Sequence, residues 1–174
     1  GAGASALLAG CSSVPAPMRA GSDDEVVIVG AGIAGLPAAW RLRQQGVRVL
    51  LEPINHFDMP GFFVNRPSQA LAILDEVGAD NLFLLYDIYH AQRMEGELSS
   101  TLRAHLPRIG HMQLADTPGR NEPGTGEINY RYLFDLADAL GYVGHIGCEY
   151  KPRDTSPGGT DAGLGWVATH GQML

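Results

Sequence analysis

Five short apolar runs recur along the chain, at 25–30, 47–52, 81–87, 109–115 and 144–150. None alternates cleanly between apolar and polar positions, which is the pattern of strands buried on both faces of a parallel sheet. The segments between them, 35–45, 66–78, 97–105 and 130–140, predict helices. In Pro67–Val77 the apolar residues Ala70, Leu71, Leu74 and Val77 fall on one helical face. Gly78 and Gly141 stand where helix C-caps are expected, because glycine accepts the left-handed conformation that ends a helix. Strands alternating with helices predict βα units and an α/β fold around a parallel sheet.

Composition narrows this only a little. The chain has 174 residues, 45% hydrophobic and 18% charged, enough to bury a core as one domain. A net charge of −7 without any Lys/Arg run excludes a nucleic-acid footprint. No apolar stretch reaches the 18 or so residues of a membrane span. Cys11 and Cys148 lack the spacing of a metal finger or disulfide scaffold and read as unpaired thiols. Residues 1–24 form a small, apolar, proline-containing leader. Its Leu8-Ala9-Gly10-Cys11 looks like a lipoprotein cleavage box or the tail of an export signal, but no basic segment precedes it. The reading is a flexible remnant on a cytoplasmic protein.

The first chemical motif follows the first apolar run. Gly30, Gly32 and Gly35 form a GxGxxG turn between a strand and a helix. Such a turn brings backbone close to a pyrophosphate at a helix N-terminus, and an acid about 20 residues on, here Glu52, holds a ribose hydroxyl. The segment 25–52 resembles the FAD-binding N-terminus of flavin-dependent amine oxidases. That resemblance implies a Rossmann-like βαβ piece, with FAD or a nicotinamide nucleotide as an alternative ligand on Gly30, Gly32 and Gly35.

The second constellation is larger. Glu52, Asp87, Gln113 and Glu149 each stand at the C-terminal end of an apolar run, about one βα unit apart. Four neighbouring parallel strands would aim all four at one mouth, where active sites of barrels lie. Three carboxylates and an amide carbonyl are hard oxygen donors suited to Mg²⁺ or Mn²⁺, and the crowded carboxylates repel unless a cation neutralises them. The competing reading is that each acid caps the following helix or pairs with a base. His90, just past Asp87, could donate to a substrate oxygen. Arg120, in the glycine-rich loop 117–126, could clamp a substrate carboxylate. Glu127 is expected to order that loop, Lys151 is a weaker neighbour of the mouth, and His56, His111 and Asp116 receive no role.

The segments LLEPIN, FVNRPSQA, LLYDIYHAQRMEGEL, GHMQLADTPGRNEPGTGEINY and GYVGHIGCEYKP resemble hydroxypyruvate isomerase, within the xylose isomerase-like TIM barrel superfamily. The resemblance implies the fifth to eighth strands of an eight-stranded barrel. It puts Glu52, Asp87, Gln113 and Glu149 on the family's metal positions, and Glu52 and Glu149 on its catalytic acids. The implied reaction interconverts hydroxypyruvate and tartronate semialdehyde through an enediol, so the expected partner is a small hydroxy-keto acid.

A complete barrel takes about 250 residues, so this chain holds a partial one. The expected organisation is a leader at 1–24, a Rossmann-like βαβ segment at 25–52 and a half-barrel at 53–174, with 25–174 folding as one unit. The two resemblances meet at the strand ending in Glu52, as in a chimera, so the alternatives to an active isomerase are one impaired by the missing half-barrel and an inactive chimeric fragment. Strand 25–30 would then stand beside it and give a five-stranded array. Open edges on such an array favour self-association or poor folding, and the sequence leaves two escapes open, a homodimer whose arrays close together or an open doubly wound sheet.

Overall fold

The computed structural model describes residues 25–27 and 35–169. Its sheet contains β1 (Glu25–Val27), β2 (Arg48–Leu51), β3 (Leu82–Asp87), β4 (Ile109–Leu114) and β5 (Ile146–Cys148). All neighbours pair in parallel, in the order β1-β2-β3-β4-β5. This monotonic order matters. Crossovers of one hand between successive neighbours put every helix on one side of the sheet, as in a barrel wall. A doubly wound fold instead reverses its strand order partway.

The connecting helices are α1 (Gly35–Gln44), α2 (Pro67–Val77), α3 (Ile88–Met94), α4 (Leu98–His105) and α5 (Tyr130–Ala139). The short helices α6 (Gly159–Ala162) and α7 (Trp166–Thr169) follow β5. Local chemistry sets their ends. Pro67 opens α2 where its missing N–H is harmless, and Gly78 closes it at φ 59°, its N–H donating to the Leu74 carbonyl over 3.0 Å. The helix α3 was not legible as an element, since seven residues are too few to show a period. The β1–α1–β2 unit has the βαβ order expected of segment 25–52, while Gly30, Gly32, Cys11 and the leader 1–24 lie outside the described residues.

The core lies between the helices and one face of the sheet. Ala70, Leu71 and Leu74 of α2 and Leu133, Phe134 and Ala137 of α5 meet Leu84, Tyr86, Ile109, Met112 and Leu114. The pairing register slips between Leu84 and Leu85, so that Ile109 faces Leu84 and His111 faces Leu85. This bulge at Gly110 shifts the alternation of β4 by one residue. Ile109 therefore joins Met112 and Leu114 in the helix-side core, while Gln113 turns to the opposite face. Gly110 fits because a Cβ there would fall 2.5 Å from Leu50 Cδ2 and 2.9 Å from Phe83 Cβ. The inner face thus begins with Arg48, Leu50 and Phe83 and ends, at the C-terminal edges of the strands, in polar residues.

Candidate active site

Glu52 follows β2, Asp87 ends β3, Gln113 lies near the end of β4 and Glu149 follows β5. The register pairs Asp87 with Gln113, and Gln113 with Gly147. The Glu149 N–H extends the ladder by donating to Leu114 O over 3.0 Å. Carboxylate oxygens of Glu52, Asp87 and Glu149 and a ring nitrogen of His90 all lie within 4.8 Å of one another. The three acids expected at one mouth are together there, and the register sets Gln113 beside Asp87.

Asp87 divides its two oxygens between two tasks. Oδ1 caps α3, accepting from the backbone N–H of Tyr89 at 2.8 Å and of His90 at 3.1 Å. Oδ2 is buried and has no hydrogen-bond partner, and the same holds for Gln113 Oε1. An unpaired buried acceptor is costly, and two on neighbouring strand ends signal a missing positive group. The acids themselves agree. Burial pushes the Glu52 carboxyl up to about 7, the Glu149 charge pushes the same way, and Arg120 opposes. Burial also holds the Asp87 carboxyl well above its usual range; the His90 N–H opposes, while the facing Glu149 carboxyl, through hydrogen bonding and charge, and the Glu52 charge push the same way as burial. Carboxylates that repel one another, with Asp87 Oδ2 and Gln113 Oε1 left without donors, fit a hard divalent cation.

His90 belongs to the cluster but plays a different part. Its Nδ1 faces two donors of Asn55, the backbone N–H at 3.4 Å and the side-chain amide nitrogen at 2.6 Å. The orientation of that amide is set from its other end, since Asn55 Oδ1 accepts from the Asp58 N–H at 2.9 Å. Nδ1 is therefore the acceptor and the ring proton sits on Nε2. Burial, reinforced by Arg120, lowers the His90 pKa to about 4, so the ring is neutral near pH 7. A protonated Nε2 cannot ligate a metal, whereas the Gln113 carbonyl can. The 3.8 Å between Nε2 and Asp87 Oδ2 is too long for a hydrogen bond, and with a neutral ring it is no ion pair.

Arg120 reaches the mouth from the loop after β4. Its Nη2 lies 3.2 Å from Glu149 Oε2, and its guanidinium stands 5.1 Å from the Tyr89 ring centroid. Asp116 builds that loop. Its carboxylate accepts four backbone N–H groups, from Thr117, Ile128, Gly124 and Gly126, at 2.9, 3.1, 3.0 and 2.9 Å. Gly126 permits the approach, since a Cβ there would fall 2.0 Å from Thr117 O. The ordering expected of Glu127 thus belongs mainly to Asp116. The Glu127 side chain accepts from Gln92 at 3.2 Å, and its N–H donates to Thr117 O at 3.1 Å. Lys151 contributes backbone only, its N–H donating to Arg120 O at 2.8 Å.

The sequence reading passed over Asn55, Asp58, Tyr89, Arg93 and Asp116. Asp58, in the loop after β2, accepts from Asn55 at 3.0 Å and from Tyr89 Oη and Arg93 Nη1, each at 2.7 Å. Burial would raise its carboxyl, but the bonds from Asn55 and Tyr89 and the Arg93 charge hold it below the usual range. The available signal was position: Asn55 and Asp58 sit three and six residues after Glu52, and Tyr89 and Arg93 follow Asp87. In the nucleotide motif, Gly35 opens α1, while Glu52, its expected ribose ligand, is buried beside Asp87 and Glu149. Cys148 is an exposed free thiol.

A monotonic parallel array with acids converging at its C-terminal mouth defines an α/β barrel-type protein with a site suited to a divalent cation. The chain belongs to the xylose isomerase-like TIM barrel family, whose sequence model matches residues 36–170. That match takes in all but the first residue of α1, the whole of β2, and the chain from Glu52 to residue 170. The chain is 53% identical over 130 residues to hydroxypyruvate isomerase of Escherichia coli, covering 75% of this chain and 49% of that protein. It is 54% identical over 123 residues to 2-oxo-tetronate isomerase of Cupriavidus necator, covering 71% and 46%. Among solved structures it resembles an AP endonuclease, family 2, from Brucella melitensis, with TM-score 0.69, 39% identity and coverage of 76% and 50%. The chain spans about half the length of the curated relatives it matches. Among the described residues no helix is long and apolar enough to cross a membrane.

Proposed function

We propose that this chain carries the metal- and substrate-binding mouth of a hydroxypyruvate isomerase-type enzyme, acting on a small hydroxy-keto acid. The observation that carries the reading is the meeting of Glu52, Asp87 and Glu149 within 4.8 Å, with Asp87 Oδ2 and the neighbouring Gln113 Oε1 left without partners. The two isomerases matched at 53% and 54% identity support the same class of reaction.

In this reading Glu52, Asp87, Gln113 and Glu149 hold Mg²⁺ or Mn²⁺, which would supply positive charge at the substrate carbonyl and the developing enediolate. The protein groups handle the protons. Hydroxypyruvate becomes tartronate semialdehyde when one carboxylate removes a proton from C3 and a carboxylic acid returns one to C2, while the hydroxyl proton passes to the neighbouring oxygen. Glu52 and Glu149 are the two acids, and they exchange roles in the reverse direction. The Nε2–H of neutral His90 donates to a substrate oxygen. Arg120, now held on Glu149, pairs with the substrate carboxylate. The unpaired Cys148 thiol suits a reducing cytoplasm, and self-association through the open sheet edges stays part of the reading.

The test is a Mn²⁺ titration followed by thermal unfolding, then an assay of hydroxypyruvate isomerisation. At one hundred times Kd, a ligand that binds only the folded state adds about 2.7 kcal/mol, or roughly 5–10 °C for a chain of this size. Glu149→Gln should abolish most of that shift. A Mn²⁺ shift unchanged by Glu149→Gln would remove the basis for the reading.

A further inference from the structure

Arg120 stands beside the mouth, on the loop after β4. Its backbone has φ 54°, a conformation shared among described non-glycine residues only with Glu97. Such a residue keeps that conformation only when its surroundings over-determine it. Asp116 fixes the loop backbone, but the guanidinium needs a separate support. The structure assigns that support to the ring of Tyr89, which we propose is a positioning residue that holds Arg120 against Glu149 and ties the loop after β2 to the loop after β4.

Tyr89 is buried in the first turn of α3. The Arg120 guanidinium stands 5.1 Å from its ring centroid, within cation–π range. The ring is itself anchored. Its hydroxyl donates to Asp58 Oδ2 at 2.7 Å and accepts from Arg93 Nη1 at 2.8 Å. Arg93 in turn stands 5.1 Å from the Phe57 ring. A ladder thus runs from Phe57 through Arg93 and Tyr89 to Arg120 and Glu149, and it crosses from one loop to the other. A phenylalanine could supply the face but not the anchor to Asp58. The consequence for substrate rests on the proposed role of Arg120 as the carboxylate clamp. The consequence for loop order does not.

Trypsin cleavage after Arg120 reads the loop directly, with cleavage after Arg131 in α5 as the measure of global opening. Tyr89→Leu should raise the rate at Arg120 relative to Arg131 by roughly 3- to 30-fold, the equilibrium weight of one cation–π contact. Tyr89→Phe should restore most of the protection. Asp58→Asn leaves the ring in place, weakens its anchor and should give a smaller rise of the same selective kind, so the test survives if Tyr89→Leu fails to fold. Under turnover, Tyr89→Leu should raise KM for hydroxypyruvate more than it lowers kcat, and should have no further effect on KM in an Arg120→Ala background. Absence of turnover in the unaltered chain would count against the isomerase reading alone, since the cleavage ratio is independent of it. An Arg120 to Arg131 ratio unchanged in both Tyr89→Leu and Asp58→Asn would overturn the assignment.

Discussion

Asn55 presents both its backbone N–H and its side-chain amide to Nδ1 of His90, at 3.4 and 2.6 Å, across the gap between the β2 and β3 loops. The pair sets the imidazole tautomer without any charged partner.

In the metal-free protein His90 should therefore remain neutral, with its proton on Nε2, from pH 5 to 8. The folded pKa, about 4, lies below the ordinary 6.5, so its contribution to stability is complete above pH 6.5 and is lost as pH falls through 4. Nitrogen-15 NMR of the ring checks this. An imidazolium signal appearing near pH 6.5 would show that burial and Asn55 do not control the ring.

Glu52 has the opposite sign. Its pKa is raised from 4.5 to about 7, so the folded metal-free chain holds a proton that the unfolded chain has released. The stability associated with that proton is full below pH 4.5 and is lost as pH rises through 7. Glu52→Gln should therefore stabilise the metal-free chain at pH 8 relative to pH 4.5 by about 3 kcal/mol. Urea unfolding at the two pH values measures the difference, and Mn²⁺ should remove the advantage of the variant.

Gln113→Leu separates stability from ligand binding. Replacing an unpartnered buried carbonyl with an apolar group of similar size should leave metal-free stability within about 1 kcal/mol or raise it. The same change should weaken Mn²⁺ binding by roughly tenfold or more, which calorimetry reads. A large loss of metal-free stability would mean that Gln113 has a structural partner.

Asp116 should be among the most sensitive positions outside the acid cluster. Asp116→Ala leaves four backbone N–H groups without their acceptor, at a cost of roughly 3–5 kcal/mol. Thermal unfolding should fall by about 10 °C. Asp116→Asn keeps one acceptor oxygen and should lose about half as much.

The two kinds of site residue differed in how visible they were. Glu52, Asp87, Gln113 and Glu149 could be picked out because each lies at or near the C-terminal end of an apolar run, and a parallel sheet brings the ends of such runs together. Asp116 ends a run in the same way, yet its carboxylate folds back onto its own loop. Nothing in the one-dimensional pattern separates an acid that faces a mouth from one that gathers backbone donors. Asp87 does both, one oxygen for each task, so the two readings of a strand-end acid were not exclusive. Asn55, Asp58, Tyr89 and Arg93 act through contacts between residues about 31 to 35 positions apart, in segments with no period of their own.

The sequence by itself determined the parallel α/β array, because strand and helix periods and glycine stops are local properties. It also determined which strand ends carry oxygen donors, because those positions follow directly from the runs. Only the tertiary structure decided which face Gln113 takes, since one bulge at Gly110 inverts the alternation of β4. Tertiary structure likewise decided the His90 tautomer and the posture of Arg120, because hydrogen bonds and ring contacts depend on angstrom distances between segments that the chain brings together only on folding.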